Sequence, residues 1–186
     1  LLNQISKKFL IRNMNSSNFK HSYDKFLQYV MFVMMIAMAV TVVVGVIFRW
    51  SGHALVWYDE VASVQLAWLT YYGSAYAALK GAHIGVPNII KSFPLGLRKI
   101  LWVVSKIIIY GFFILLAYYG FKVLTLIRGE TLVTLEWVPQ ILVQSVIPIG
   151  SLLFMLSETL RLREDYEDVM SGKKRDPEAI IVEEQN

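Results

Sequence analysis

Cysteine is absent from the 186 residues. Its absence excludes disulfides, thiolate metal sites and thiol nucleophiles. Charge is scarce as well. Charged residues make up 17% of the chain, against about 25% in an ordinary soluble domain. Histidine is limited to His21, His53 and His83, none of them inside an apolar run. A haem-binding bundle needs axial histidines that face each other within it, so an electron-transfer subunit is not expected. The chain has no glycine-rich phosphate loop and no HExxH zinc motif. Asp59 and Glu60 are neighbours, but on a helix they point about 100° apart and make no carboxylate dyad. Neither catalysis, a metal nor a cofactor is expected. The net charge of +4 does not point to nucleic acid, because the basic residues flank apolar segments.

Apolar residues dominate what is present. They form 56% of the chain, and mean hydropathy is +0.51. They cluster into four runs, at about 27–48, 61–79, 100–127 and 138–157. A helix of about 20 residues crosses a hydrocarbon core of about 30 Å. The expected fold is therefore all-α, an integral membrane domain of four transmembrane helices over residues 27–157. Residues 1–26 precede it, and a charged tail, 158–186, follows. The first run has the wrong flanks for a cleavable signal peptide. Asp59 and Glu60 start the second run and Lys80 ends it, which complements the helix dipole. Pro139 suits a first helical turn, and Pro148 predicts a kink in the fourth run. A short amphipathic segment is expected between the second and third helices, within 81–99. The tail reads as helical to Met170 and as disordered after Gly172.

Orientation follows from the basic residues. Five Lys or Arg precede the first run, four lie between the second and third, and five follow the fourth. The other two connections hold one each, Arg49 and Arg128. The positive-inside rule then puts both termini and the 80–99 linker in the cytoplasm. The loops 49–59 and 128–137 face outward.

No acid is expected deep in a span, which argues against a lone proton-coupled carrier. Small residues instead recur at four-residue spacing: Ala37, Thr41 and Gly45 in the first run, and Gly73, Ala77 and Gly81 in the second. Such stripes let helices approach closely, within this bundle or against a partner subunit. Trp68, Tyr71, Tyr72 and Tyr76 add an aromatic band to the second run.

One ordered set of fragments carries a family resemblance. It comprises Phe48-Arg49-Trp50, Trp57-Tyr58-Asp59-Glu60, Ala67-Trp68-Leu69, Gly73-Ser74-Ala75 and Lys80-Gly81-Ala82-His83-Ile84-Gly85-Val86. Leu135-Glu136-Trp137 and Ile147-Pro148-Ile149-Gly150 follow later. Over about residues 25–165 this pattern resembles the small membrane subunit (DctQ-like, Q subunit) of tripartite ATP-independent periplasmic (TRAP) transporters. The resemblance implies a scaffold subunit in a bacterial inner membrane, not an enzyme. Its partners would be a large membrane subunit, which carries sodium and an organic acid such as sialic acid or a C4-dicarboxylate, and a periplasmic binding protein. The interface candidates are Arg49, Trp57, Glu60, Trp68, Tyr72, Gly73, Tyr76 and His83. Each has a local alternative: a helix-end charge for Glu60, an interfacial anchor for Arg49, Trp57 and Trp137, and a helix-end contact for His83. Arg98, Lys99 and Lys106 are candidates for a phospholipid headgroup, with snorkelling to water as the alternative. A self-contained small transporter or channel, working as a homo-oligomer, is the competing reading.

Overall fold

A computed structural model describes the backbone of residues 2–81 and 93–171, and the side chains of 19–81 and 93–171. The amphipathic segment expected around 82–92, His83 within it, and the tail beyond Ser171 lie outside the described residues. Five helices make up the rest: α1 Leu2–Trp50, α2 Tyr58–Lys80, α3 Leu95–Leu126, α4 Gln140–Gln144 and α5 Val146–Ser171.

Each boundary has a local cause. α1 holds no proline and runs unbroken through the 1–26 segment and the first apolar run. It stops at Gly52, which takes a left-handed φ of 79°. There the His53 amide donates to the Phe48 carbonyl at 3.1 Å and the Gly52 amide to Arg49 at 3.2 Å. This paired capping satisfies carbonyls that the helix leaves open. α2 ends on Gly81, whose φ is 66° and whose amide turns back to the Ala77 and Ala78 carbonyls. α3 begins at Leu95, earlier than the sequence predicts, behind an extended Pro94.

The fourth run departs from expectation in detail. Pro139 is extended and precedes α4, whereas the sequence places it inside the first turn. The helix then breaks at Ser145 and resumes as α5. Pro148 lacks an amide hydrogen, and its ring crowds the carbonyl four residues back, at Gln144. The predicted kink therefore falls one turn before the proline.

Packing runs in the order α1, α2, α5, α3: α2 lies against α1 and α5, and α3 lies against α5. Small residues set the spacing. A Cβ on Gly150 would sit 2.7 Å from Cβ of Tyr71, and one on Gly120 would sit 3.0 Å from Cδ of Pro148. Gly45 lies against the ring of Tyr58, and Gly73 faces Met31 on α1. In an apolar solvent, close approach and internal polar contacts hold helices together better than hydrophobicity does. The core joins Tyr23, Leu27, Ala75, Ala78, Leu79 and Phe154, with Ile109 and Phe113 packed against it. The Phe113 and Phe154 rings stack 3.8 Å apart.

Among the described residues, three helical stretches are long and apolar enough to cross a membrane: Phe19–Trp50, Leu95–Leu126 and Gln140–Ser171. α2 is not among them. Its 23 residues have the length, but Asp59, Glu60, Ser63, Gln65, Thr70 and Ser74 dilute its hydropathy. It lies between α1 and α5, where a helix of mixed polarity finds internal partners. The α1 and α3 windows are nearly all exposed within the chain, at 6% buried each, while the α4–α5 window is 33% buried.

Candidate functional site

Two polar constellations stand out, one at each end of the bundle. The first joins helices at the end where α2 finishes and α3 begins. α5 continues helically past the apolar run, so Phe154, Glu158, Arg161 and Asp165 fall on one face at helical spacing. That face meets α2 and α3. Glu158 is 3% exposed and Arg161 6%. Lys106 on α3 donates to Glu158, and to Asp165 at 2.8 Å. Arg161 binds Asp165 at 2.8 Å and the Leu79 carbonyl of α2 at 3.2 Å. The guanidinium lies where a Cβ on Gly81 would go, so the glycine serves both the left-handed cap and the close approach. On α1, Lys20 pairs with Glu164 and Asp24 with Lys80. The Tyr23 hydroxyl adds a bond to the Leu153 carbonyl at 2.8 Å.

The charged side chains thus tie all four long helices together. A buried carboxylate is costly unless it is paired and hydrogen-bonded, and Glu158 meets its counter-ion on another helix. Glu158 stands one residue beyond the boundary set for the fourth run, yet it is buried. Lys106, expected at a lipid headgroup or in water, turns inward to two carboxylates. Arg98 donates to the carbonyls of Val169 and Phe93, both at 3.1 Å, and Lys99 is exposed.

The second constellation lies at the opposite end. Between α3 and α4 the chain folds back on itself through Gly129, with φ 93°. Thr131 bridges Pro139, and the Leu132 amide donates to Val138 at 3.0 Å. Glu60, in the first turn of α2, clamps this hairpin. Its carboxylate accepts the Val133 amide at 3.0 Å, the Thr134 amide at 2.8 Å and the Thr134 hydroxyl. The Thr134 hydroxyl and amide, aided by the Val133 amide, hold the Glu60 carboxyl below its usual range, outweighing the opposing effect of partial burial. Glu60 is thus bound to the hairpin and not to Arg49, which is exposed in the last turn of α1.

An apolar cavity of about 390 Å³ lies under the hairpin, lined by residues that include Trp57, Val61, Val64, Leu135 and Val143. Gln65 also borders it, with its Oε1 buried and lacking a hydrogen-bond partner. The other aromatic candidates face inward. The Trp68 indole donates to the Val143 carbonyl at 3.1 Å, beside the helix break, and its ring lies 6.2 Å from Tyr72. Tyr72 and Tyr76 pack against the core, and the Lys80 ammonium sits 5.7 Å from the Tyr76 ring centre.

Sequence reasoning placed Trp57 and Glu60 at the outer end of the second run but foresaw neither the hairpin nor Val133 and Thr134 as the partners of Glu60. It also missed Glu158, Arg161 and Asp165. Extending the helical stripe of the fourth run past Ser157 would have found those three. Among the described residues, no group of three or more His, Cys, Asp or Glu is placed to hold a metal.

A search among curated proteins finds no match. A family model does match, over residues 38–168, from within α1 to near the end of α5. Its description is tripartite ATP-independent periplasmic transporters, DctQ component. The matched segment holds the α2 start with Glu60, the hairpin, Lys106 and the α5 charge stripe, and on that match the chain belongs to the DctQ family of TRAP transporter components.

Proposed function

We propose that the chain is the non-catalytic scaffold subunit of a sodium-coupled TRAP importer of organic acids in a bacterial inner membrane. It braces a large, elevator-type membrane subunit. All four long helices cross the bilayer, with both termini in the cytoplasm, as the basic residues favour. The hairpin end then faces the periplasm. There it helps to dock the solute-binding protein, with Arg49, Trp57 and Glu60 at that surface.

The observation that carries this reading is how the interior charges are used. Lys106 of α3 pairs with Glu158 and Asp165 of α5, and Arg161 holds Asp165 within α5, which suits a rigid brace. A carboxylate that carried an ion would need to release its partner in each cycle. The cavity at the other end has an apolar surface, unsuited to an anionic solute.

The test is reconstitution into vesicles with a sodium gradient. The chain alone is expected to give no uptake of labelled organic acid. Adding its large subunit and binding protein restores uptake. Uptake by the chain alone would establish a self-contained transporter instead. Within the complex, Glu60→Gln should lower uptake at an unchanged amount of inserted protein, because it loosens the hairpin.

A further inference from the structure

We infer that residues 129–145, the hairpin and α4 together, form one strap that swings as a unit, its two fastenings on α2 releasing together. Both fastenings are polar, and they hold different parts of the strap. Glu60, in the first turn of α2, accepts the Val133 amide at 3.0 Å, the Thr134 amide at 2.8 Å and the Thr134 hydroxyl. Trp68, about two turns further along the helix, donates its indole N–H to the Val143 carbonyl at 3.1 Å. Between the two lies the apolar cavity of about 390 Å³. Walls that face a cavity lack dispersion partners, so the strap and α2 hold each other weakly there.

The strap is bonded within itself. The Leu132 amide donates to the Val138 carbonyl at 3.0 Å, and the Gln140 amide donates to the Glu130 carbonyl at 2.9 Å. Gln140 is also the first residue of α4, so the hairpin and the helix are one piece. The backbone bends at both ends of that piece. Gly129 has φ 93°, and no other part of the chain lies within 4 Å of where its Cβ would stand. Ser145 marks the break between α4 and α5. A rigid piece between two such points can turn about them and keep its own bonds. Closure also leaves a cost. The buried Oε1 of Gln65, beside the cavity, has no hydrogen-bond partner, and opening lets water reach it. The strap thus links a loop at one end of the bundle to the helix break: an event that frees Glu60 also frees the Val143 carbonyl.

The test is hydrogen exchange of the full chain in lipid nanodiscs, followed by NMR at neutral pH and expressed as protection relative to intrinsic rates. The Trp68 indole signal is identified by its absence in Trp68→Phe, which keeps an aromatic ring but has no donor. Trp68→Phe should lower protection of the Val133 and Thr134 amides about fivefold, the size of one net hydrogen bond, although it touches neither. Glu60→Gln should lower protection of the Trp68 indole by at least as much, because three bonds lose their charged acceptor. The Leu132 and Gln140 amides, bonded within the strap, should keep their protection in both variants. Unchanged Val133 and Thr134 protection in Trp68→Phe, in a chain whose α3 and α5 amides exchange as in the parent, would overturn the inference. So would a loss at Leu132 and Gln140 equal to that at Thr134, which denotes melting of the hairpin in place of a swing. If Trp68→Phe misfolds, Glu60→Gln decides alone: it keeps the side-chain volume, and an unchanged Trp68 indole there overturns the inference. Uptake assays do not enter, so failure here is distinct from failure of the scaffold reading.

Discussion

Replacing Lys106 by alanine leaves Glu158 without its counter-ion at a site that is 3% exposed. Asp165 is less affected, because Arg161 still binds it at 2.8 Å. One stranded carboxylate is therefore the main loss. Removing one partner of a buried pair costs about 3–5 kcal/mol. Lys106 also lies 5.8 Å from the centre of the Trp102 ring, a contact of about 0.5–1 kcal/mol. With the carboxylate free to protonate, we expect a net loss of about 3 kcal/mol. For a chain of this size that lowers the unfolding midpoint by about 6–12 °C. The pair Lys106→Met with Glu158→Leu removes both charges and restores packing volume. It should stay within about 1 kcal/mol of the parent, because a buried ion pair and an apolar pair often balance. The assay is thermal unfolding in detergent, followed by tryptophan fluorescence, for Lys106→Ala and for the double variant. A Lys106→Ala chain that unfolds with the parent would refute the reasoning. A double variant as unstable as the single would refute it equally.

Glu60 gives a pH prediction. Its folded carboxyl titrates below the usual carboxylate range, so its contribution is complete above the unfolded value of about 4.3 and is lost as pH falls through the lower folded value. Protection of the Val133 and Thr134 amides, taken relative to their intrinsic exchange rates, should hold at neutral pH and fall only in acid, whereas Glu60→Gln lowers it at pH 7. At Gly81, alanine meets both a left-handed φ of 66° and the Arg161 guanidinium. It should cost about 1–2 kcal/mol from the backbone alone, and the same unfolding assay reads it. At Gly150, a Cβ 2.7 Å from Tyr71 forces α2 and α5 apart, so Gly150→Val should cost about 1–3 kcal/mol by overpacking, with less loss when Tyr71 is also shortened to alanine.

The helices were legible because period and composition alone fix them. Apolar runs with little or no charge gave α1, α3 and the α4–α5 stretch, while the stops at Gly52 and Gly81 emerge only from their left-handed backbones. Pro148 signalled a break, though only its steric effect on Gln144 sets the place. α2 was harder to judge, because its polar residues make sense only once α1 and α5 flank it. The charge network was hidden for a similar reason. Glu158 reads as the end of an apolar run until helical phase is carried through Arg161 to Asp165. That its partner is Lys106, 52 residues earlier, depends on how helices pack. Glu60 was singled out as an interface candidate, but its bonds to Val133 and Thr134 arise from a loop fold that no sequence spacing encodes.

The network also bears on how the chain is made. Synthesis delivers α1 and α2 first, then α3 with Lys106, and only afterwards the helix that carries Glu158, Arg161 and Asp165. Until α5 arrives, Lys106 has neither of its carboxylates, and the Leu79 carbonyl lacks the Arg161 guanidinium. α5 enters with Arg161 and Asp165 already bonded to each other within one turn, and it finds Lys106 waiting for its unpaired Glu158. α5 thus completes the charge network, and until it docks Lys106 is an unmatched lysine on the surface of α3.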